Sequence, residues 1–227
     1  MSDPSPRSLS KILEILRDDV EEGAKALLGC RLIRDSMSAQ IVETEAYHQS
    51  EAGCHAYNSR TARTEVMYGP AGRAYVYFTY GCHWMLNVVS HSSEEAAAVL
   101  IRAAKPLTDL NSMRIHRPKA KREVELLSGP GKLCASFQID RAFNGIDLFD
   151  LSSELHIEPG PSPEEILIGT RIGLSPGKGD DLPWRFVDAH ESAWASRPLP
   201  KLLASMPTTP ACDESHGTDT SLQNAST

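Results

Sequence analysis

The sequence contains little cysteine, and its spacing fits neither a zinc site nor a disulfide framework. Five cysteines, an odd number, are spread over 227 residues. None has a second cysteine at the CxxC spacing, which argues against a zinc ribbon and against the disulfide scaffold of a small secreted protein. We therefore expect free thiols in a reducing compartment; the cysteines are Cys30, Cys54, Cys82, Cys134 and Cys212.

Long apolar runs and an excess of positive charge are also missing. No window approaches the roughly 20 apolar residues of a membrane span, and the first residues (MSDPSPRSLSK) contain no apolar signal core. The formal net charge is −7, from 23 Lys and Arg against 30 Asp and Glu. This charge excludes the uniformly high pI that is the simplest signature of a nucleic-acid-binding protein. The remaining composition, with 41% hydrophobic residues, is that of an ordinary globular protein.

The charge is nevertheless polarised along the chain. Residues 60–122 carry ten Lys and Arg against four Asp and Glu, whereas residues 150–191 carry three against nine. Because the Debye length is about 8 Å at physiological salt, a local basic segment can bind phosphates even in an acidic chain. Charge alone favours the simpler interpretation, a solvated basic face.

The order of the predicted elements indicates the fold class. Apolar residues at three- and four-residue spacing over 10–28 predict an amphipathic helix, continuous or interrupted, that ends at Gly29. Strand-like runs follow at 40–47, 73–80, 84–90 and 97–103, and shorter strands with Gly/Pro loops are expected over 146–188. Further helices are expected beyond Pro118 and after the turn at 128–133. Strands in a run, rather than alternating with helices, predict an α+β fold with a largely antiparallel sheet.

The segment IVETEAY (41–47) is the first candidate for chemistry. On a strand, Glu43, Glu45 and Tyr47 share one face because side chains alternate with a period of two. Two carboxylates held this close can leave one of them as a general base in a polar cleft. From the heptapeptide alone, an exposed strand face with solvated acids is the favoured interpretation.

Aromatic residues are scarce overall but concentrated in one place. They make up 6% of the chain, yet five fall within residues 68–80, close to the polar loop that contains His55, Arg60 and Arg63. Aromatic rings beside arginines are typical of a site that stacks on nucleic-acid bases. A sheet core with tyrosines at its edge remains an equal alternative; the five residues are Tyr68, Tyr75, Tyr77, Phe78 and Tyr80.

Two further motifs are weak. SGPGKL (128–133) lacks the glycine spacing of a P-loop, so its expected contribution is Lys132 and a backbone N–H for one phosphate. A metal-dependent hydrolase would have to use Glu43, Glu45, His55 and His83. No HExxH motif or Cys/His spacing supports such a metal site.

Together, the motifs identify a family resemblance. In chain order they are IVETEAY, His55, the Arg-containing loop to EVMYGP (65–70), YVYFTYG (75–81), Asn87, LIRAAKP (100–106) and LLSGPGKLC (126–134). From about residue 18 to about residue 200, the sequence resembles the alkyladenine (3-methyladenine) DNA glycosylases of animals and bacteria. It departs from them in lacking Asp-Pro in HQSEAGC (48–54) and in having Tyr68 where Phe is frequent.

The resemblance implies an architecture. It predicts one catalytic domain over 18–204 with a curved, mainly antiparallel sheet flanked by helices, like the C-terminal domain of formyltransferases. A loose N-terminal segment with the start of a helix (1–17) precedes this domain, and a disordered polar tail (205–227) follows it.

The resemblance also implies an activity. It predicts a monofunctional enzyme whose reaction uses no cofactor and no metal. The enzyme would flip damaged purines such as 3-methyladenine out of double-stranded DNA and hydrolyse the N-glycosidic bond, leaving an abasic site. A monomer is expected, in the cytoplasm if the source is bacterial and in the nucleus if it is eukaryotic. A non-catalytic module that binds distorted nucleic acid on the same fold is the alternative.

The site residues are carried over position by position. The resemblance implies that Glu45 is the general base, with Arg102 beside it. Tyr47 and Tyr77 would stack on the two faces of the extruded base. His55 would line the pocket, and Asn87 would be a filter against the 2-amino group of guanine. Tyr80 would be a wedge in the duplex. The DNA-backbone contacts would be Arg60, Arg63 and Lys132.

Overall fold

The computed structural model describes residues 7–91 and 95–200, and the backbone of 204–207. The chain begins with two consecutive helices, α1 (Leu9–Asp18) and α2 (Val20–Ala26). They divide the predicted helix at Asp19, whose backbone is extended (φ −151°) and whose carboxylate accepts hydrogen bonds from the N–H groups of Glu21 and Glu22. Asp19 therefore ends α1 and caps the N-terminus of α2.

Within the described residues, nine strands form one curled sheet in which every pairing is antiparallel. The order along the sheet is β3-β4-β5-β2-β8-β7-β9, with β1 pairing to β2 and β6. The α+β prediction is confirmed. The strands are β1 (Arg31–Arg34), β2 (Met37–His48), β3 (Ala74–Thr79), β4 (His83–Ser90), β5 (Ala97–Thr108), β6 (Leu155–Glu158), β7 (Glu165–Gly169), β8 (Arg185–Asp188) and β9 (Ala204–Pro207).

Strand β2 lies in the middle of the sheet and carries the ETEAY segment. It pairs with β5 on one side and with β8 on the other, so that Glu45 lies opposite Leu100 and Arg185. The register of β2 and β5 shifts on both sides of Glu43. Such an irregularity changes the direction of side chains locally, and here both glutamates and an arginine of β5 meet.

Strands β3 and β4 form a hairpin whose tip is Tyr80, Gly81 and Cys82. Tyr80 and Gly81 both have positive φ (54° and 68°), so the chain reverses within three residues. The register places Tyr75 opposite Asn87 and Tyr77 opposite Met85. These pairs share one face, since residues i and i+2 of a strand point the same way.

Three short helices follow β5: α3 (Leu110–His116), α4 (Val124–Leu127) and α5 (Pro130–Ser136). Between β5 and the turn at 128–133, a helix was expected only beyond Pro118. The structure has an additional helix, α3, before this proline. The N-terminus of α5 packs tightly against the hairpin, because a Cβ at Gly131 would lie 2.8 Å from the His83 ring.

The two faces of the sheet have different coverings. Helices α1 and α2 cover one face with a continuous apolar core that includes Leu16, Val76 and Leu86. A smaller cluster with Tyr75 and Val89 lies on the other face, because alternate residues of β3 and β4 point to opposite sides. No helix among the described residues is long and apolar enough to cross a membrane.

The structure describes part of each predicted end of the domain. Helix α1 begins at Leu9, within the N-terminal segment where the start of a helix was expected. Residues 205–207, which we expected in the polar tail, belong to β9 and pair with β7. The rest of the predicted tail, 208–227, lies outside the described residues.

Candidate active site

A cavity of about 310 Å³ opens on the face of the sheet away from α1 and α2. This volume is at the lower end of the range for small-molecule sites, a size suited to one base-sized ring. The walls come from β2, the β3–β4 hairpin, β5, the start of α5 and the loop after β7. The lining residues used below are Tyr47, His55, Tyr75, Tyr77, Tyr80, Asn87, Arg102, Pro130, Ile172, Gly173 and Leu174.

Glu45 lies directly behind the cavity wall and is completely buried. Its Oε2 accepts hydrogen bonds from the Tyr47 hydroxyl (2.8 Å) and from Arg102 Nη1 (3.1 Å). Its Oε1 accepts one from the backbone N–H of Ile172 (2.7 Å). Since all three donors belong to lining residues, the carboxylate is in a polar setting one side chain away from the cavity.

Glu43 is also completely buried but lies farther back. Its Oε1 accepts hydrogen bonds from Arg185 Nε (2.6 Å), the Ser196 hydroxyl (2.8 Å) and Arg102 Nε (3.2 Å). Its Oε2 accepts the backbone N–H of Ser196 (2.7 Å). Arg102 therefore bridges the two glutamates, and Glu43 fixes its guanidinium from behind. Burial alone would lower the pKa of Arg102, but the charges of Glu45 and Glu43 raise it overall.

Tyr47 and Tyr77, the two rings expected to stack on the base, both lie on the cavity wall. Burial raises the pKa of the Tyr47 hydroxyl, and the charge of Glu45 raises it further. The phenol therefore stays neutral and donates its proton to the carboxylate. Burial likewise raises the pKa of Tyr77.

His55 packs edge-on against Tyr77, with ring centroids 4.6 Å apart. Arg63 Nη2 lies 3.1 Å from His55 Nε2, and Nδ1 lies 3.0 Å from the Tyr75 hydroxyl. Burial lowers the pKa of His55 to about 4, and the charge of Arg63 contributes. A guanidinium can only donate, so Nε2 accepts and Nδ1 carries the proton that is given to Tyr75.

Asn87 is buried at the base of the cavity. Its Nδ2 donates to the carbonyl of Tyr75 on the neighbouring strand (2.9 Å), which fixes the orientation of the amide. Asn87, the predicted filter residue, therefore has one defined orientation in the cavity wall.

Tyr80 stands at the mouth of the cavity and is 78% exposed. A Cβ at Gly173, across the mouth, would lie 3.9 Å from its hydroxyl. Lys132 lies on α5 next to the lining residue Pro130, and its ammonium donates to the Ser128 hydroxyl (3.2 Å). The candidate wedge therefore lines the cavity, and one candidate phosphate contact lies two residues after a lining residue of α5.

The other two predicted backbone contacts differ from each other. Arg60 is exposed and forms an ion pair with Glu65 (Nε–Oε2, 2.8 Å). Arg63 instead lies over the Tyr77 ring, 4.9 Å from its centroid, and contacts His55. The structure thus brings Arg63 to the aromatic cluster of the cavity.

Much of the positive charge of 60–122 is compensated locally. Six of its ten Lys and Arg side chains contact a carboxylate; they are Arg60, Arg73, Arg102, Lys105, Arg114 and Arg122. Arg117 binds the carbonyls of Glu125 and Leu126. The basic segment therefore does not form one uninterrupted positive face.

Sequence reasoning missed a second buried ion pair next to the cavity, between Arg171 and Glu51. The two residues are 120 positions apart and belong to no motif recognised in the sequence. No group of three or more His, Cys, Asp or Glu side chains in the described part of the chain is arranged to hold a metal ion. Glu43 and Glu45, which a metal-dependent hydrolase would have to use, are bound by arginines.

Comparison with known proteins places this geometry in a family. A family model described as methylpurine-DNA glycosylase matches residues 14–192. A protein of Carboxydothermus hydrogenoformans is 48% identical over 174 residues, 74% of this chain and 89% of the relative. One of Methanocella arvoryzae is 43% identical over 182 residues, 78% and 90% of the two chains. One of Rhodopseudomonas palustris strain HaA2 is 40% identical over 188 residues, 82% and 91%.

Each of these relatives carries the name "Putative 3-methyladenine DNA glycosylase". The matched region contains β2, the hairpin, β5 and the loop after β7, and so includes the lining residues named above. The resemblance first drawn from the motifs is confirmed: this chain belongs to the methylpurine-DNA glycosylase family.

Proposed function

We propose that this protein removes alkylated purines such as 3-methyladenine from double-stranded DNA by flipping the nucleotide into the cavity and hydrolysing its N-glycosidic bond. The observation that carries this proposal is the position of Glu45, held by Tyr47, Arg102 and Ile172 immediately behind a cavity of base size. The relatives named as 3-methyladenine DNA glycosylases support the substrate class.

Base flipping is needed because the bond to be cut is hidden inside the duplex. Extrusion costs a few kcal/mol, least for a damaged base. Stacking on an aromatic ring contributes about 1–3 kcal/mol per base, so Tyr47 and Tyr77 together offset most of this cost. Tyr80, exposed at the hairpin tip, fills the space that the base leaves.

Alkylation at N3 or N7 makes the purine cationic, and this favours both binding and reaction. A cation against aromatic faces gains about 2 kcal/mol when desolvated. The cationic base is also a good leaving group, so the site does not need a strong acid. His55 stays neutral above its lowered pKa of about 4, and its one N–H is given to Tyr75.

Glu45 supplies the base for water attack. Each carboxylate oxygen has two lone pairs; Oε2 uses both for Tyr47 and Arg102, whereas Oε1 uses one for Ile172. The free lone pair of Oε1 is therefore where a water bound beside Ile172 gives up its proton. The carboxylate also stabilises positive charge that develops on the sugar, as in glycoside hydrolysis.

Attack by water, rather than by an amine, leaves an abasic site and an intact strand. Among the described residues, the groups that donate hydrogen bonds to Glu45 are a phenol, a guanidinium and a backbone amide. A guanidinium is always protonated in proteins, and neither of the other two is a nucleophile suited to forming a Schiff base. We therefore expect no strand-cleaving lyase activity.

The direct test is incubation with methylated duplex DNA followed by chromatography of the released bases. We expect 3-methyladenine to appear in the soluble fraction and the DNA to break at the resulting sites only after alkali. Tight binding of the methylated duplex without base release would instead support a non-catalytic binding module and would overturn the proposal.

A further inference from the structure

The Arg171–Glu51 ion pair lies beneath the cavity and has no part in the chemistry described so far. The guanidinium of Arg171 is completely buried and forms a two-pronged contact with the carboxylate: Nη1 to Oε1 (2.7 Å) and Nη2 to Oε2 (2.9 Å). It also donates to the carbonyls of Ala46 (2.9 Å) and Gly179 (2.8 Å). One side chain thus ties the end of β2 to the loop that follows β7.

The same guanidinium lies against the ring of Tyr47, 4.6 Å from its centroid. Tyr47 lines the cavity whereas Arg171 does not, so the cation supports the stacking ring from the side away from the extruded base. A guanidinium over an aromatic face is attractive, and most strongly so when it is buried.

Arg171 also directly precedes a segment that forms one wall of the cavity. The next residue, Ile172, donates its backbone N–H to Glu45 Oε1, and residues 172–174 line the cavity. Two glycines allow this loop to approach so closely. A Cβ at Gly179 would lie 2.5 Å from Arg171 Nη2, and one at Gly53 would lie 2.7 Å from the Lys178 carbonyl.

We propose that the Arg171–Glu51 ion pair is a positioning element of the active site. It holds the stacking ring of Tyr47 from behind, and it holds Ile172 where its N–H orients the carboxylate of Glu45. Neither residue touches the base or the water, so both act through other groups. This inference rests on the proposed function, because it assigns these contacts to base stacking and water activation.

The chain offers a matched control for the loss of Arg171. Arg34 makes the same kinds of contact far from the cavity: to Glu154 (Nη2–Oε1, 2.8 Å), to the carbonyls of Phe137 and Gln138, and over the ring of Phe143. Arg171→Met and Arg34→Met therefore each remove a carboxylate contact, two carbonyl hydrogen bonds and a ring contact, although the carboxylate of Glu154 is exposed and that of Glu51 is not. Only the contacts of Arg171 border the active site.

The experiment compares base release and DNA binding in the two variants. A duplex with one N-methylated purine gives the single-turnover rate at saturating enzyme. A duplex with a reduced abasic-site analogue gives the Kd for binding without a base in the cavity. We expect Arg171→Met to slow base release by about tenfold or more, because small displacements of reacting groups slow a reaction strongly. The Kd for the abasic-site analogue should change by less than about threefold. Arg34→Met should lower the melting temperature but leave the rate within about twofold of wild type.

The conservative variants Arg171→Lys and Glu51→Gln guard against a misfolded Arg171→Met protein. A lysine retains the charge but cannot make the two-pronged contact, so it should slow base release without altering the Kd for the abasic analogue. Glu51→Gln should also slow base release without altering the Kd for the abasic analogue. Rates within about twofold of wild type in these variants, or an equal loss of rate in Arg34→Met, would overturn the positioning role. A wild-type protein that releases no base would contradict the proposed function instead.

Discussion

The substitution Glu43→Gln tests the buried charge network behind the active site. Glu43 is completely buried, and its Oε1 receives two guanidinium donors and a hydroxyl while Oε2 receives the Ser196 N–H. An amide keeps the size but removes the charge. In either orientation of the amide, its NH₂ group also faces a hydrogen-bond donor that a carboxylate oxygen accepts in the wild type. The variant leaves Arg102 with only Glu45, and it leaves Arg185 without a carboxylate.

Removing one partner of a buried ion pair costs about 3–5 kcal/mol. For a domain of this size, 1 kcal/mol corresponds to about 2–4 °C in melting temperature, so the melting temperature should fall by about 6–20 °C. Circular dichroism during heating measures this shift. Glu65→Gln is the control, since it breaks the exposed Arg60–Glu65 pair, and exposed pairs contribute only about 0–1 kcal/mol. A melting temperature for Glu43→Gln that matches the control would refute the reasoning.

Four further substitutions probe the cavity and the predicted DNA contacts. Asn87→Ser should increase the release of unmodified guanine, measured by chromatography, because it removes this amide from the cavity wall; unchanged selectivity would place the filter elsewhere. Tyr47→Phe keeps the stacking ring but removes a donor to Glu45, so DNA binding should persist while single-turnover base release changes; an unaltered rate would show that the hydroxyl does not influence the carboxylate. Arg60→Ala and Arg63→Ala should each reduce the slope of log K for duplex binding against log[salt] by about 0.9. An arginine whose loss leaves this slope unchanged does not contact a phosphate.

Local sequence patterns predicted the elements that form the sheet around the active site. The β-branched and aromatic runs at 73–80, 84–90 and 97–103 correspond to β3, β4 and β5 within a few residues. Strand β1 was missed because its four residues, RLIR, carry two arginines and no clear alternation. The division of the first helix was left open, because only the extended backbone of Asp19 decides it.

The sequence also predicted which residues would meet at the site, but not how they contact one another. Glu43 and Glu45 were expected on one polar face, and both are in fact buried and bridged by Arg102. Arg63 was expected at a phosphate, and its guanidinium lies over Tyr77. These contacts depend on tertiary packing between distant segments, which local periodicity does not encode.

The ion pair of Arg171 and Glu51 illustrates the same limit. Each residue sits in a loop rich in glycine or polar residues, where a solvated charge is the ordinary expectation. Their burial results from the approach of the loop after β7 to the end of β2, which Gly53 and Gly179 permit. Nothing in either loop alone indicates its partner.

The central claim is that Glu45 activates the water that cleaves the glycosidic bond. The most direct measurement is the single-turnover rate of base release by Glu45→Gln, with the Kd for the same lesion duplex determined in parallel. Loss of a general base slows a reaction by about 10²–10⁴-fold, so we expect a decrease of that size with nearly unchanged binding. The exposed Glu14→Gln variant should behave as wild type. Base release by Glu45→Gln at a rate close to that of wild type would contradict the account.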